Sequence, residues 1–173
     1  TGSLTVTGSI EGVLGGINIG TEPNQTSLLT NGNIVMGGNG LGNPNNAPKI
    51  TAGNDNIVFG GYSTTISSTG QWNHILGGSG NQITAGSTNT VAGGYYNTIS
   101  NGEWRSIFGA KNSSISGTGA KPEVIVGGDG NSITNGQDNV IIGGDSNTLT
   151  HDRSVIIGGQ SLSSTKADEV VVP

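Results

Sequence analysis

Through the middle of the chain, large aliphatic residues keep a fixed distance from a recurring glycine. The glycines are Gly37, Gly60, Gly77, Gly93, Gly109, Gly127, Gly143 and Gly158, evenly spaced apart from one longer step between Gly37 and Gly60. Two places before them stand Val35, Val58, Ile75, Val91, Ile107, Ile125, Ile141 and Ile156 without exception. Six places after them stand Ile66, Ile83, Ile99, Ile115, Ile133 and Leu149. Self-similarity at a short fixed period, here about 16 residues, marks a solenoid. Each unit is predicted to hold two short strands that turn one aliphatic each toward a common interior, joined by turns rich in Gly, Asn and Ser. That glycine content and the β-branched runs exclude a helix.

The residues flanking the two strands separate their outer faces. Beside the second aliphatic lie small hydroxyls, such as Thr65 and Ser67, Thr98 and Ser100, or Thr148 and Thr150. Strand side chains alternate between faces, so these point outward into water. Beside the first aliphatic lie Met36, Phe59, Leu76, Ala92, Phe108, Val126, Ile142 and Ile157. Ile34, Ile57, Val124, Val140 and Val155 extend that face, interrupted by His74, Thr90 and Ser106. An outward apolar stripe of this length predicts self-association, with Met36, Phe59, Leu76, Phe108, Val126, Ile142 and Ile157 at the interface.

One such coil gives up about 16–32 kcal/mol of backbone entropy, and each buried aliphatic returns only about 1.5–3 kcal/mol. Hydrogen bonds between coils must therefore supply much of the rest. Two files of Asn are expected to serve this stack: Asn33, Asn56, Asn73, Asn89 and Asn139 four places before the glycine, and Asn81, Asn97, Asn131 and Asn147 four places after it. Asn tolerates positive φ and bonds nearby backbone, so both files read as corner residues. The fold expected is all-β, a parallel β-roll over residues 33–160. Residues 1–32 form an N-terminal strand junction that includes SLTVTGSI and Gly15-Gly16, and residues 161–173 form a C-terminal neck or junction strand ending EVVVP.

Composition narrows the function classes. Of 173 residues, 33 are glycine, 10% are charged and 4% are aromatic, a makeup foreign to most globular enzymes, while the regular Ile and Val argue against disorder. With no cysteine, no disulfide, thiolate metal site or cysteine nucleophile is open to the chain. The net charge of −5, spread thinly, argues against a nucleic-acid partner. No apolar run approaches the roughly 20 residues that cross a bilayer, so direct membrane insertion is not expected. Thr1 opens the chain without a methionine, which suggests an internal piece of a longer protein.

The unit NVIIGGDSNTLT at Asn139 to Thr150, echoed by SVIIGG at Ser154 to Gly159, resembles the head repeats of YadA-like trimeric autotransporter adhesins and related phage or surface fibres. The resemblance covers roughly residues 33–160. It implies a left-handed roll, a homotrimer around a threefold axis, and an extracellular location on a cell surface or virion fibre. Two departures stand out: the family unit is shorter with small alanines inside, whereas this one is longer, with Val or Ile inside and a doubled glycine.

Candidate chemistry is sparse. GGDGNSI at Gly127 to Ile133 approaches a calcium-binding nonapeptide, but Ser132 stands where the ligand aspartate belongs, so no metal and no cofactor are expected. GGNGLG at Gly37 to Gly42 lacks the spacing and the following helix of a nucleotide loop. A tailspike glycosidase would draw on carboxylates of neighbouring chains, with Glu103, Asp138 and Asp55 as candidates and two acids about 5–9 Å apart. The flat hydroxyl face allows an ice-binding reading. The aromatics favour recognition: Trp72 and Trp104 share one rank, Tyr62 and Tyr95 a second, with Arg105 beside Trp104 and Tyr96 beside Tyr95. Exposed rings suit sugar faces and protein contacts alike. The insertion from Leu41 to Lys49 is a further candidate for recognition. The expectation is therefore a non-enzymatic trimeric fibre head or tip that binds a glycan or protein on a host or prey cell. A purely structural spacer is the alternative.

Overall fold

The computed structural model describes residues 17–19, 32–36, 46–117 and 119–173. The SLTVTGSI stretch, Gly15-Gly16, the glycines at 37 and 38 and residues 41–45 of the insertion lie outside the described residues.

The chain winds as a parallel β-solenoid. Strands preceding each glycine, from Ile17–Ile19 to Val170–Val171, join into one ten-stranded parallel sheet, and strands following it, from Lys49–Ile50 to Thr148–Leu149, join into a seven-stranded one. We call these the long and short sheets. Register is strict: Val58 pairs with Ile75, Ile75 with Val91, and Ile107 with Ile125 in the long sheet, as Ile83 does with Ile99 in the short one. Equal ranks of successive repeats therefore stack directly on each other. Between the sheets lie two files of aliphatics, Val35 to Ile156 from the long sheet and Ile50 to Leu149 from the short one, all with no solvent exposure.

Two kinds of corner close each coil. At the first, both glycines of a pair take positive φ, as at Gly77 (72°) and Gly78 (86°). Their reasons differ. A Cβ on Gly77 would find only the Phe59 carbonyl, at 3.9 Å, whereas one on Gly78 would lie 2.6 Å from the Gly94 carbonyl of the next coil. The first glycine is required by conformation and the second by the closeness of the coils, save in the coil of Gly109, where a buried Ala110 takes the second place without positive φ.

The Asn files correct the expectation drawn from turn chemistry. Every one of these Asn is completely buried, and positive φ falls on the residue before it: Asp55, Trp72, Thr88 and Asp138 in one file, Tyr96 and Ser146 in the other. The Asn side chains point inward and tie coil to coil. Asn56 Oδ1 accepts from the Asn73 amide (2.8 Å), and Asn73 Oδ1 from the Asn89 amide (3.1 Å). Their Nδ2 groups donate to carbonyls at the next coil's corner, Asn73 to Gly86 (3.0 Å) and Asn81 to Gly93 (2.8 Å). One amide thus satisfies a buried N–H and a buried C=O that the turning backbone leaves without a ladder partner.

Residues 161–173, expected to leave the repeat, keep its ranks. The Leu162 amide donates to Asn147 Oδ1 (2.9 Å), Ser163 bridges Thr148, and Val170 and Val171 pair with Val155 and Ile156. Ser164, buried, takes the place held elsewhere by an aliphatic.

Two outcomes are expected. Asn131→Ala, which strips the Asn147 amide and the Gly143 carbonyl of their partner while the Gly144 carbonyl keeps the Asp129 amide, lowers stability by about 1–3 kcal/mol per orphaned group in chemical denaturation. Gly77→Ala costs about 1–2 kcal/mol of left-handed strain, and Gly78→Ala costs clearly more, a ranking read from the same denaturation midpoints.

Candidate functional site

The aromatics flagged by sequence sit on two different edges. Tyr62 and Tyr95 belong to a rank of isolated bridges, Tyr62–Ser79–Tyr95–Lys111–Asp129–Asp145–Gln160, along the corner that follows each glycine pair. Tyr96 packs edge-on against Tyr95, ring centroids 4.3 Å apart and planes at 80°. Tyr62 accepts a hydrogen bond from Asn46 Nδ2 (2.6 Å) and is half-buried. Farther along this edge Lys111 Nζ lies 2.7 Å from Asp129 Oδ2. That contact lowers the Asp129 carboxyl and raises the Lys111 ammonium from their ordinary ranges.

Trp72 and Trp104 lie on the opposite edge, at the corner leading from the short sheet back to the long one. Thr88 stands between them, so they are two coils apart, about 10 Å at the usual strand spacing of about 4.8 Å. They are 55% and 49% exposed, and each holds φ near 57°. Left-handed backbone is unusual for a bulky side chain and costs about 1–2 kcal/mol; Gly32 takes the same rank with φ 75°. A shallow concavity of about 250 Å³ opens beside Trp104, lined by Gly86, Asn101, Gly102, Glu103, Gly119 and Ala120.

Arg105 does not join Trp104 at the surface. It is fully buried at the rank where Asn33, Asn56, Asn73 and Asn89 stand, four places before the glycine, and it imitates their role. Its amide donates to Asn89 Oδ1 (3.0 Å), and its guanidinium donates to the carbonyls of Asn101, Gly117 (3.2 Å) and Gly119 (3.4 Å). The corner from Gly117 to Pro122 is longer than its neighbours, so the step from Gly109 to Gly127 exceeds those on either side of it. That extra length seats the larger head and leaves the concavity above it.

Sequence reasoning missed the partner. Glu123 occupies the same rank one coil on, fully buried, with its Oε2 2.8 Å from Arg105 Nε. The signal was present, since both ionisable residues stand where the register calls for Asn. The pair replaces the Asn ladder poorly: neither Glu123 oxygen nor Arg105 Nε is aligned in a hydrogen bond, and Asn139 Nδ2 beyond it is buried without a partner. Burial pushes the Glu123 carboxyl up to about 7, against the downward pull of Arg105, and burial also lowers the Arg105 guanidinium from its ordinary value.

The remaining candidates do not converge within one chain. Asp55 lies three coils from Glu103 and Asp138 two, about 14 and 10 Å along the axis, against the roughly 5–9.5 Å between paired carboxyl groups in glycosidases. Among the described residues no group of three His, Asp or Glu side chains gathers to hold a metal. The outer face of the short sheet carries the expected hydroxyl files, with Ser114 and Ser132 linked at 3.2 Å and Gln82 breaking the row. Phe59, Leu76, Phe108, Val126, Ile142 and Ile157 line the outside of the long sheet, each 41–46% exposed, and Met36, half-buried, heads the same rank.

A folded-state value near 7 against an ordinary 4.5 means that the folded chain holds the Glu123 proton more tightly than the unfolded chain. Stability from this group is present below about pH 4.5, falls as pH rises through 7, and is lost above it. Glu123→Gln should remove that fall, seen as a smaller difference between melting temperatures at pH 5 and pH 8 than in the unaltered chain. Arg105→Ala, which leaves the carboxylate buried alone, should cost about 3–5 kcal/mol, whereas Arg105→Asn with Glu123→Asn should restore the ladder and most of that loss. Scans against family models, curated proteins and solved structures found no match to this chain.

Proposed function

We propose that this chain is a segment of an extracellular fibre, a head or tip in which three copies of the roll pack long sheet to long sheet. Its edges then bind a glycan or protein on another cell, without catalysis and without a cofactor. The observation that carries this reading is the apolar outer face of the long sheet. Between Phe59 and Ile157 it presents a large apolar side chain at every coil except the one holding Ala92. Seven strands at about 4.8 Å make that file about 29 Å long. A partner that covers it must repeat with the same rise over the same length, and further copies of this chain do. Each half-exposed side chain that becomes buried contributes roughly 1 kcal/mol, so the file as a whole outweighs any one contact.

The threefold symmetry and the handedness rest on the resemblance to adhesin head repeats. The regular stacking of the coils also favours a second reading, a spacer that only sets length.

Light scattering is expected to give a mass three times the 17.2 kDa of the chain, and a monomer would sink the assembly. Ile142→Asp with Ile157→Asp should dissociate it at micromolar concentration while circular dichroism stays rich in strand. An assembled chain that bound nothing on a glycan array or on cell surfaces would leave the spacer.

A further inference from the structure

We infer that the Trp72–Trp104 edge binds a neutral, linear oligosaccharide lying along the roll axis, with alternate sugars stacked on the two indoles. This deepens the adhesion reading and rests on it. Three observations meet at this edge. First, the two indoles share one rank with Thr88 between them, so their spacing is set by the parallel register and cannot drift with side-chain choice elsewhere. Large flat rings, half exposed, offer apolar platforms to the faces of pyranose rings. A linear chain crossing two coils meets one ring with one sugar and the second ring farther along, while Thr88 leaves room between them.

Second, the corner that carries both indoles has the same left-handed backbone at Asp55, Thr88, Asp138 and Arg153 as at Trp72 and Trp104, so the repeat fixes the direction in which each ring leaves the roll. Here the stacked strands on either side fix the corner. Neither ring contributes to the aliphatic core between the sheets.

Third, the concavity beside Trp104 supplies what a sugar needs besides a platform. It is lined by Gly86, Gly102, Gly119 and Ala120, residues with little or no side chain, together with Asn101 and Glu103, which bring polar side chains to the site. Polar groups at the rim of an aromatic face fix the orientation of hydroxyls. Charge then selects the class. Asp55 shares the tryptophan rank, Glu103 adjoins Trp104, and the cations of this edge are each set against an acid, Lys121 against Asp138 and Arg153 against Asp168, so that in a chain of net charge −5 an acidic sugar is disfavoured.

The chain contains two tryptophans, both at this edge, so intrinsic fluorescence reports the site directly. Cellohexaose, mannohexaose and N-acetylchitohexaose, with hyaluronan hexasaccharide as the acidic probe, are titrated into the assembled chain. At least one neutral hexasaccharide is expected to shift the emission saturably. It should bind at least tenfold more tightly than its own disaccharide, which reaches only one indole. Trp72→Gly and Trp104→Gly should each lower the affinity at least tenfold while leaving the circular dichroism spectrum unchanged.

No response to any neutral hexasaccharide, equal affinity for the disaccharide, undiminished binding in either glycine variant, or a preference for hyaluronan would each overturn the inference. Light scattering on the same samples separates the two readings. A trimer that ignores every sugar leaves the fibre and removes this site, whereas a monomer that binds leaves the site and removes the assembly.

Discussion

The roll depends on the buried side-chain amide that passes from each coil to the next. A chain that reverses direction twice within each short repeat cannot pair all of its corner backbone within strands, and corner groups facing inward have no water. Asn solves both halves of this at once, accepting from the amide of the next rung and donating to the carbonyls of the next corner. Aliphatics alone could fill the interior, but they would leave those groups unpaired at a cost of about 1–3 kcal/mol each. The glycine pair follows from the same constraint, because the corner carbonyls that Asn reaches lie where a second Cβ would have to go.

That logic explains which parts of the fold were legible. Val58, Ile75 and their equivalents fix the interior, and Phe59, Leu76 and Ile142 fix the outer apolar face, because strand side chains alternate without exception. The same alternation places a residue four before the glycine on the face of the residue two before it, and so puts Asn73 inside with Ile75. Turn propensity pointed instead to the corner and proved the weaker guide, since positive φ at a corner falls one residue earlier and is borne there by Trp72 or Asp55. The continuation through residues 161–173 was hidden because Leu162 and Ser164 fill the ranks of Asn and Ile, so neither the amide nor the aliphatic marked the coil.

The candidate sites were legible as ranks but not as edges. Period alone grouped Trp72 with Trp104 and Tyr62 with Tyr95, yet it carried no information on which corner each rank occupies. Arg105 illustrates the same limit more sharply. Its neighbour Trp104 points out and Arg105 points in, one residue apart, and only the register with Asn89 and Glu123 distinguishes them.

The Arg105–Glu123 pair has a consequence for how the roll yields. In a repeat protein each unit touches only its neighbours, so cooperativity passes from coil to coil through their shared interface. The Asn relay reaches Arg105 from one side and resumes at Asn139 on the other, with an ion pair and an orphaned amide between. Across the seam the strands still pair over four residues and the second amide file runs on through Ser113 to Asn131, so the roll yields there by one weakened rung and not as a whole.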